Sequence, residues 1–272
     1  MTTEVRIALD AMGGDHAPSE VVKGALLAAA EFAVEIILVG QEDVVRRELA
    51  AASSTTPRNI DVYDAREIVT MDDTALAPLR RKRNSSVRVC ANLVAEGRAN
   101  AFVSAGNTGA TWTSARAVMG MIEGVSRPAL ATVLPSIKGH TLLLDVGANV
   151  DAKPNHLREF AVMGHFYAQM LFNIEAPRVG LLSIGEEEGK GNELTKETYR
   201  VLKETGLNFI GNAEGRDVYN GNADVVVCDG FTGNVVLKAS EALGDVVSTT
   251  LPREVNRHWR GKPGGLPAKP AF

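Results

Sequence analysis

The chain has 272 residues, 45% of them hydrophobic, enough to bury a large core as one α/β unit or two modest lobes. A net charge of -4 and an aromatic content of 5% leave out the basic stripe and stacking residues of a nucleic-acid binder. The two cysteines, Cys90 and Cys228, lie far apart in apolar settings and imply neither a disulfide framework nor a zinc site; no apolar run reaches the ~18 residues of a membrane span, and the start MTTEVRIALDAMGG shows no export signal.

Short runs of Val, Ile and Leu recur along the chain, each followed by a glycine-containing turn and a longer stretch of helical spacing. That pattern predicts βα units around a parallel sheet. In chain order the strands fall at 5–10, 35–39, 60–63, 101–104, 130–134, 141–145, 178–184, 208–211 and 223–228, and the helices at 19–33, 43–52, 86–97, 108–119, 154–172, 193–205 and 233–243. Only Pro135-Ser-Ile-Lys-Gly139 separates the fifth and sixth strands, too little for a crossover helix, so they are expected to pair as an antiparallel hairpin. The expected fold is α/β, one domain over 1–250 with a mostly parallel sheet. Residues 251–272 bring four prolines, three glycines and a basic excess, and read as a mobile tail.

Five loops that follow predicted strands hold glycines and small polar residues: Asp10-Ala-Met-Gly-Gly-Asp15, Ser104-Ala-Gly-Asn-Thr-Gly109, Asp145-Val-Gly-Ala-Asn149, Ile184-Gly-Glu-Glu-Glu-Gly-Lys-Gly191 and Asp229-Gly-Phe-Thr-Gly-Asn234. Any one of them is simply a tight turn. Together they point to one edge of an open parallel sheet, where strand carboxyl ends converge on a crevice. The second and fifth run straight into helices and should offer unpaired N–H groups to an anion. No loop matches a P-loop or a dinucleotide fingerprint, so the expected ligand bears phosphate without being an obvious nucleotide.

A covalent nucleophile is hard to find. There is no G-x-S-x-G elbow, and Cys90 and Cys228 read as buried structural thiols. Among the histidines only His16 sits on one of these loops. The run Arg80, Arg81, Lys82, Arg83, followed by Arg88, is the densest positive segment; it is either a solvated face or a dock for phosphate or an acidic partner, with Ser85 or Ser86 capping the next helix.

Taken in order, Asp10-Ala-Met-Gly-Gly-Asp-His-Ala-Pro18, Ser104 to Ala110, Leu144 to Asn149, Gly185 to Asn192, Gly211-Asn-Ala-Glu-Gly215 and Asp229 to Asn234 resemble the PlsX family of phosphate acyltransferases, across residues 5 to 245. The resemblance implies a three-layer α/β/α sandwich like those of isocitrate/isopropylmalate dehydrogenases and phosphotransacetylases. It implies a homodimer without metal or organic cofactor that moves a long-chain acyl group from acyl carrier protein to inorganic phosphate. It further implies a cytoplasmic enzyme in peripheral contact with the membrane, passing acyl phosphate to a membrane glycerol-3-phosphate acyltransferase. By position, Lys190 and Asn234 become the catalytic pair, and Asp10, Gly13, Gly14, His16, Ser104, Asn107, Thr108, Asn149, Asp229, Thr232 and Gly233 the substrate and phosphate pocket. The stretch after Leu251 departs from the family pattern.

With phosphate as attacker the missing nucleophile makes sense. Phosphate is already an anion, and a thiolate with a free pKa near ~8.5 leaves without a strong acid. The protein then has to orient the reactants and stabilise an oxyanion. Two alternatives stay open at this point: a truncated, non-catalytic scaffold for acyl carrier protein or the membrane acyltransferase, and, with less in its favour, a dehydrogenase on the related fold.

Overall fold

The computed structural model describes residues 5–257, and the contacts of the chain form two compact units that divide between Gly124 and Val125, within the stretch expected to be one domain. In the first unit β1 (Val5–Asp10), β2 (Val34–Gly40), β3 (Ile60–Asp64) and β4 (Ala101–Val103) make a wholly parallel sheet in the order β3-β2-β1-β4. Its helices are α1 (Ser19–Glu31), α2 (Glu42–Ala52), α3 (Ala77–Arg80), α4 (Ser86–Ala95) and α5 (Thr108–Met119). The sequence of β2, Val-Glu-Ile-Ile-Leu-Val-Gly, has no polar side because both faces are covered. Ile36 and Leu38 pack with Val22, Val45 and Leu49 of α1 and α2, while Ile37 and Val39 point the other way, toward Cys90 and Leu93 of α4. Alternation along one strand thus builds a three-layer α/β/α unit.

The winding of this sheet reverses at β1. Strands β2 and β3 are added on one side and β4 on the other, so the loops after β1 and β4 lie at a topological switch point.

The second unit contains β5 (Ala131–Ser136), β6 (Gly139–Leu144), α6 (Pro154–Phe172), β7 (Val179–Leu182), α7 (Glu193–Lys203), β8 (Phe209–Ala213), α8 (Asp217–Asn220), β9 (Val225–Val227) and α9 (Gly230–Arg257). The strand order is β5-β6-β9-β7-β8, with β5 antiparallel to β6 as the short connection required and the other pairings parallel. Leu142, Leu144, Val225 and Val227 face Phe160 and Ala161 of α6, and Leu143 and Val226 face the opposite side, where Val236 and Leu237 of α9 close the core. Helix α6 rides close on the sheet because Gly164 has no side chain: a Cβ there would stand 2.6 Å from a methyl of Val225.

Three elements depart from the sequence pattern. The four-residue helices α3 and α8 are too short to show a helical period. Helix α9 does not stop at 243 but continues past 250 and through Pro252 to Arg257, so the regular structure passes the expected start of the tail; residues 258–272 of that tail lie outside the described residues.

The lower ends of β7 and β9 are tied by an ion pair. Both nitrogen arms of Arg178 reach Asp224, at 2.9 and 2.7 Å, and the Arg178 N–H adds a third bond at 2.7 Å. Burial pushes the Asp224 carboxyl up, but the Arg178 side chain and N–H outweigh it and hold the group below its usual value. A carboxyl depressed in the folded state stabilises above the unfolded value of ~3.9 and loses that contribution as pH falls through the folded value. Asp224→Asn is therefore expected to lower stability by about 2 kcal/mol at neutral pH in urea melts, with the gap to the wild type narrowing as pH drops below ~4.

Candidate functional site

At the switch point of the first unit the two loops meet closely. Asp10, the buried last residue of β1, accepts a hydrogen bond from the Ser104 hydroxyl at 2.7 Å and from the Met12 N–H at 3.2 Å. Gly13 fits between them: a Cβ would lie 2.5 Å from Asp10 Oδ2 and 2.9 Å from Ser104 Oγ. Gly14 adopts φ +110°, a conformation glycine alone takes without strain. Asp10, Gly13, Gly14 and Ser104 are thus brought together, and His16 sits exposed on the same loop.

Asn107 and Thr108 divide in role. Asn107 caps α5 by accepting from the Ala110 N–H at 3.0 Å, and its amide nitrogen donates to the carbonyls of Thr70, Met71 and Asp73. Its side chain is spent on structure. Thr108 is exposed, and the N–H groups of Thr108 and Gly109 have no partner, which leaves the start of α5 open to an anion.

In the second unit the loop after β6 is wound around a buried carboxylate. Asp145 accepts from the N–H groups of Leu130, Gly147, Ala148 and Asn149 and from the Asn149 side-chain amide, at 2.7 to 3.1 Å. Asn149 passes the order on: its carbonyl receives the N–H of Gly230, the first residue of α9, at 2.9 Å. The first turn of α9 then lies on the strand end at backbone contact, since a Cβ on Gly233 would come within 1.9 Å of the Asp145 carbonyl oxygen. Asn149 and Gly233 hold the framework together. Asp229 caps α9, accepting from the Thr232 N–H at 2.9 Å and the Thr232 hydroxyl at 2.7 Å, so among the first four N–H groups of that helix only Phe231 lacks a partner. The anion-binding capacity expected of this helix start is mostly consumed. Asn234 projects from the next position, exposed and beside Gly147, with its amide unpaired.

The loop after β7 presents Lys190. The Asn212 side chain of β8 donates to the Glu187 carbonyl at 2.8 Å and anchors the loop. Two of its three glutamates are neutralised, Glu186 by Arg216 at 3.0 Å and Glu188 by Lys203 at 2.9 Å. Lys190 is exposed and has no ion pair. Directly after it Asn192 caps α7, accepting from the Thr195 N–H at 2.9 Å, and the N–H groups of Glu193 and Leu194 stay unpaired. A cavity of about 410 Å³ opens here, with an apolar floor of Leu157, Leu182, Leu194 and Cys228 and a polar rim of Ser183, Asn192, Thr195, Asp229 and Thr232. The sequence reading did not single out Ser183, Asn192 or Thr195, although the Asn-x-x-Thr spacing is a helix-start signal. Ser183 Oγ is buried and has no hydrogen-bond partner.

The basic run separates into two groups. Lys82 binds Asp73 at 2.5 Å and the Ile68 carbonyl at 2.7 Å, and Arg88 binds the Pro78 carbonyl at 2.8 Å, so these two brace loops. Arg80, Arg81 and Arg83 are exposed. Ser85 stands at the N-cap of α4 without a capping bond. Burial pushes the thiols of Cys90 and Cys228 well above the ordinary value, which keeps both protonated and unreactive at neutral pH.

Residues 5–272 match the family model described as "Fatty acid synthesis protein". Phosphate acyltransferases from Pelotomaculum thermopropionicum and Aquifex aeolicus are each 51% identical to the chain over 268 residues, covering 98% of it and 78% and 79% of their own lengths. The chain belongs to the PlsX family of phosphate acyltransferases. The match includes 251–272, a stretch that the motifs had left outside the resemblance. Among solved structures, the EutD phosphotransacetylase from Staphylococcus aureus superposes with a TM-score of 0.60 at 19% identity, covering 89% of this chain and 83% of that one. A branched-chain phosphotransacylase from Enterococcus faecalis V583 gives 0.55 at 18% identity, covering 86% and 83%. These two show the shared α/β fold.

As a member of this family the chain is a transferase that moves an acyl group to phosphate. For such a transferase, the two acidic residues of the second unit should behave differently on mutation. Asp145→Ala strands buried N–H groups and is expected to cost about 3–5 kcal/mol, whereas Asp229→Ala loses one helix cap and about 1 kcal/mol; urea unfolding of the two variants measures the difference.

Proposed function

We propose that the chain transfers a long-chain fatty acyl group, reversibly, from acyl carrier protein to inorganic phosphate, giving acyl phosphate for phosphatidic acid and phospholipid synthesis. A phosphate oxygen attacks the thioester carbonyl carbon directly, the C–S bond breaks, and the carrier leaves as its thiolate. The observation that carries this reading is a reaction edge with an unpaired cation and amide and no reactive thiol: Lys190 and Asn234 are exposed and uncommitted, while both cysteines are buried and protonated.

Lys190 and the free N–H groups of Glu193 and Leu194 suit a phosphate dianion, combining a mobile charge with the positive end of α7. The Asn234 amide is suited to donate to the thioester carbonyl as it becomes an oxyanion. Asp10, Gly13, Gly14, His16, Ser104 and Thr108 form a second set of phosphate-compatible loop residues on the first unit. The exposed Arg80, Arg81 and Arg83 are suited to an acidic carrier protein. The same reading makes the chain a cytoplasmic homodimer in peripheral membrane contact, with a membrane glycerol-3-phosphate acyltransferase as the consumer of its product. Among the described residues no helix is long and apolar enough to cross a membrane.

With long-chain acyl carrier protein as substrate, release of free carrier should require added phosphate. Lys190→Ala should lower kcat/KM about 10²–10³-fold while leaving the melting temperature in place, because the side chain makes no contact that holds the fold. Phosphate-independent release would instead mark a thioesterase, and full activity of Lys190→Ala would remove that residue from the mechanism.

A further inference from the structure

The second unit has a switch point of its own. Strands β7 and β9 run side by side and parallel, yet α7 packs through Leu202 on the face of the sheet that carries α6, and α9 packs through Val236 and Leu237 on the other face. The loops that leave the two strands therefore part, and a crevice opens between them. The cavity of about 410 Å³ occupies it, with Ser183, directly after β7, on one lip and Asp229, shortly after β9, on the other.

Most polar groups on this rim are committed. The Asp229 carboxylate is taken up by the Thr232 N–H and hydroxyl, and Asn192 Oδ1 accepts both the N–H and the hydroxyl of Thr195, the latter at 2.6 Å. Ser183 differs: its N–H donates to the Ala213 carbonyl, but the buried Oγ has no partner. A buried hydroxyl left unpaired costs stability and calls for a reason. Gly191 shows where that hydroxyl can act. It holds φ +99°, and a Cβ built on it would stand 2.9 Å from Ser183 Oγ and 2.5 Å from Thr195 Oγ1. The two hydroxyl oxygens thus flank the same side of Gly191, close enough for one ligand oxygen to touch both, and glycine keeps that place open. The unpaired N–H groups of Glu193 and Leu194 belong to the same helical turn as Thr195.

We propose that Ser183 is a phosphate-binding residue, whose hydroxyl donates to one oxygen of the anion seated at the start of α7 and so fixes how its other oxygens face the thioester. The assignment rests on the acyl-transfer reading above. With no partner in its resting rotamer, Oγ is free to turn toward an incoming oxygen. The apolar floor of Leu157, Leu182, Leu194 and Cys228 limits competition from water, which strengthens a hydrogen bond to a charged oxygen.

Steady-state kinetics of Ser183→Ala, with urea unfolding alongside, tests the assignment. KM for phosphate is expected to rise about ten- to a hundredfold, the loss of one hydrogen bond to a charged group, while KM for the acylated carrier protein holds. Stability is expected to equal or exceed that of the wild type, because the hydroxyl removed has no partner in the fold. An unchanged phosphate KM overturns the assignment and leaves the hydroxyl to an internal water. A loss of stability with equal rises in both Michaelis constants overturns it too, since that is the mark of a structural role. Calorimetric titration with inorganic phosphate alone separates this proposal from the one it rests on. If the wild type binds phosphate at least ten times more tightly than Ser183→Ala but phosphate releases no carrier, the phosphate subsite stands and the transfer reading falls. If phosphate-dependent release is present and the two proteins bind phosphate equally, the assignment falls and the transfer reading stands. A wild type that neither binds phosphate nor turns over removes both.

Discussion

The second unit depends on one buried carboxylate. Asp145 directly follows β6 with no exposure to solvent, and an isolated charge there would be prohibitively costly. Four backbone N–H groups and one side-chain amide converge on it, which fixes the following loop in a single conformation. From that loop the Asn149 carbonyl holds the first N–H of α9, and Gly230 and Gly233 let the helix settle on the backbone beneath. Asn234 inherits its position from this contact. A substitution at Asp145 therefore reaches Asn234 without touching it.

The electrostatics of the neighbouring loop suit a reaction in which the protein forms no bond of its own. Glu186 and Glu188 are each matched by a cation drawn from elsewhere in the unit, so Lys190 is left without a local partner that would compete with an incoming anion. Beside it the Asn192 cap satisfies one N–H of α7 and leaves two pointing outward. The buried thiols complete the contrast: the groups best suited to covalent catalysis are withdrawn from solvent, and those suited to binding a dianion are exposed.

Much of the fold was legible because buried parallel strands leave an unambiguous trace. The run Ile36 to Gly40 is apolar throughout, and the short connection between β5 and β6 allowed only a hairpin. Helix α9 runs beyond the expected end at 243, and through Pro252, one of the residues that made 251–272 read as a tail; the structure carries it on a largely exposed surface. The site loops were visible as glycine motifs, but a motif does not say what the missing side chain makes room for. At Gly233 it is the Asp145 carbonyl oxygen, and at Gly13 it is Asp10 together with Ser104. Asn107 looked like a ligand-binding residue and is a helix cap, a role set by an N–H three residues on and by a loop more than thirty residues earlier in the chain.

The central claim is that phosphate itself attacks the thioester and that no acyl group passes through the protein. Isotope exchange between acylated carrier protein and labelled free carrier protein, measured with and without phosphate, tests it most directly. Direct attack predicts no exchange until phosphate is added, because only acyl phosphate can return the acyl group to a second carrier. Exchange without phosphate at a rate near that of turnover would show an acyl-enzyme intermediate and contradict the account.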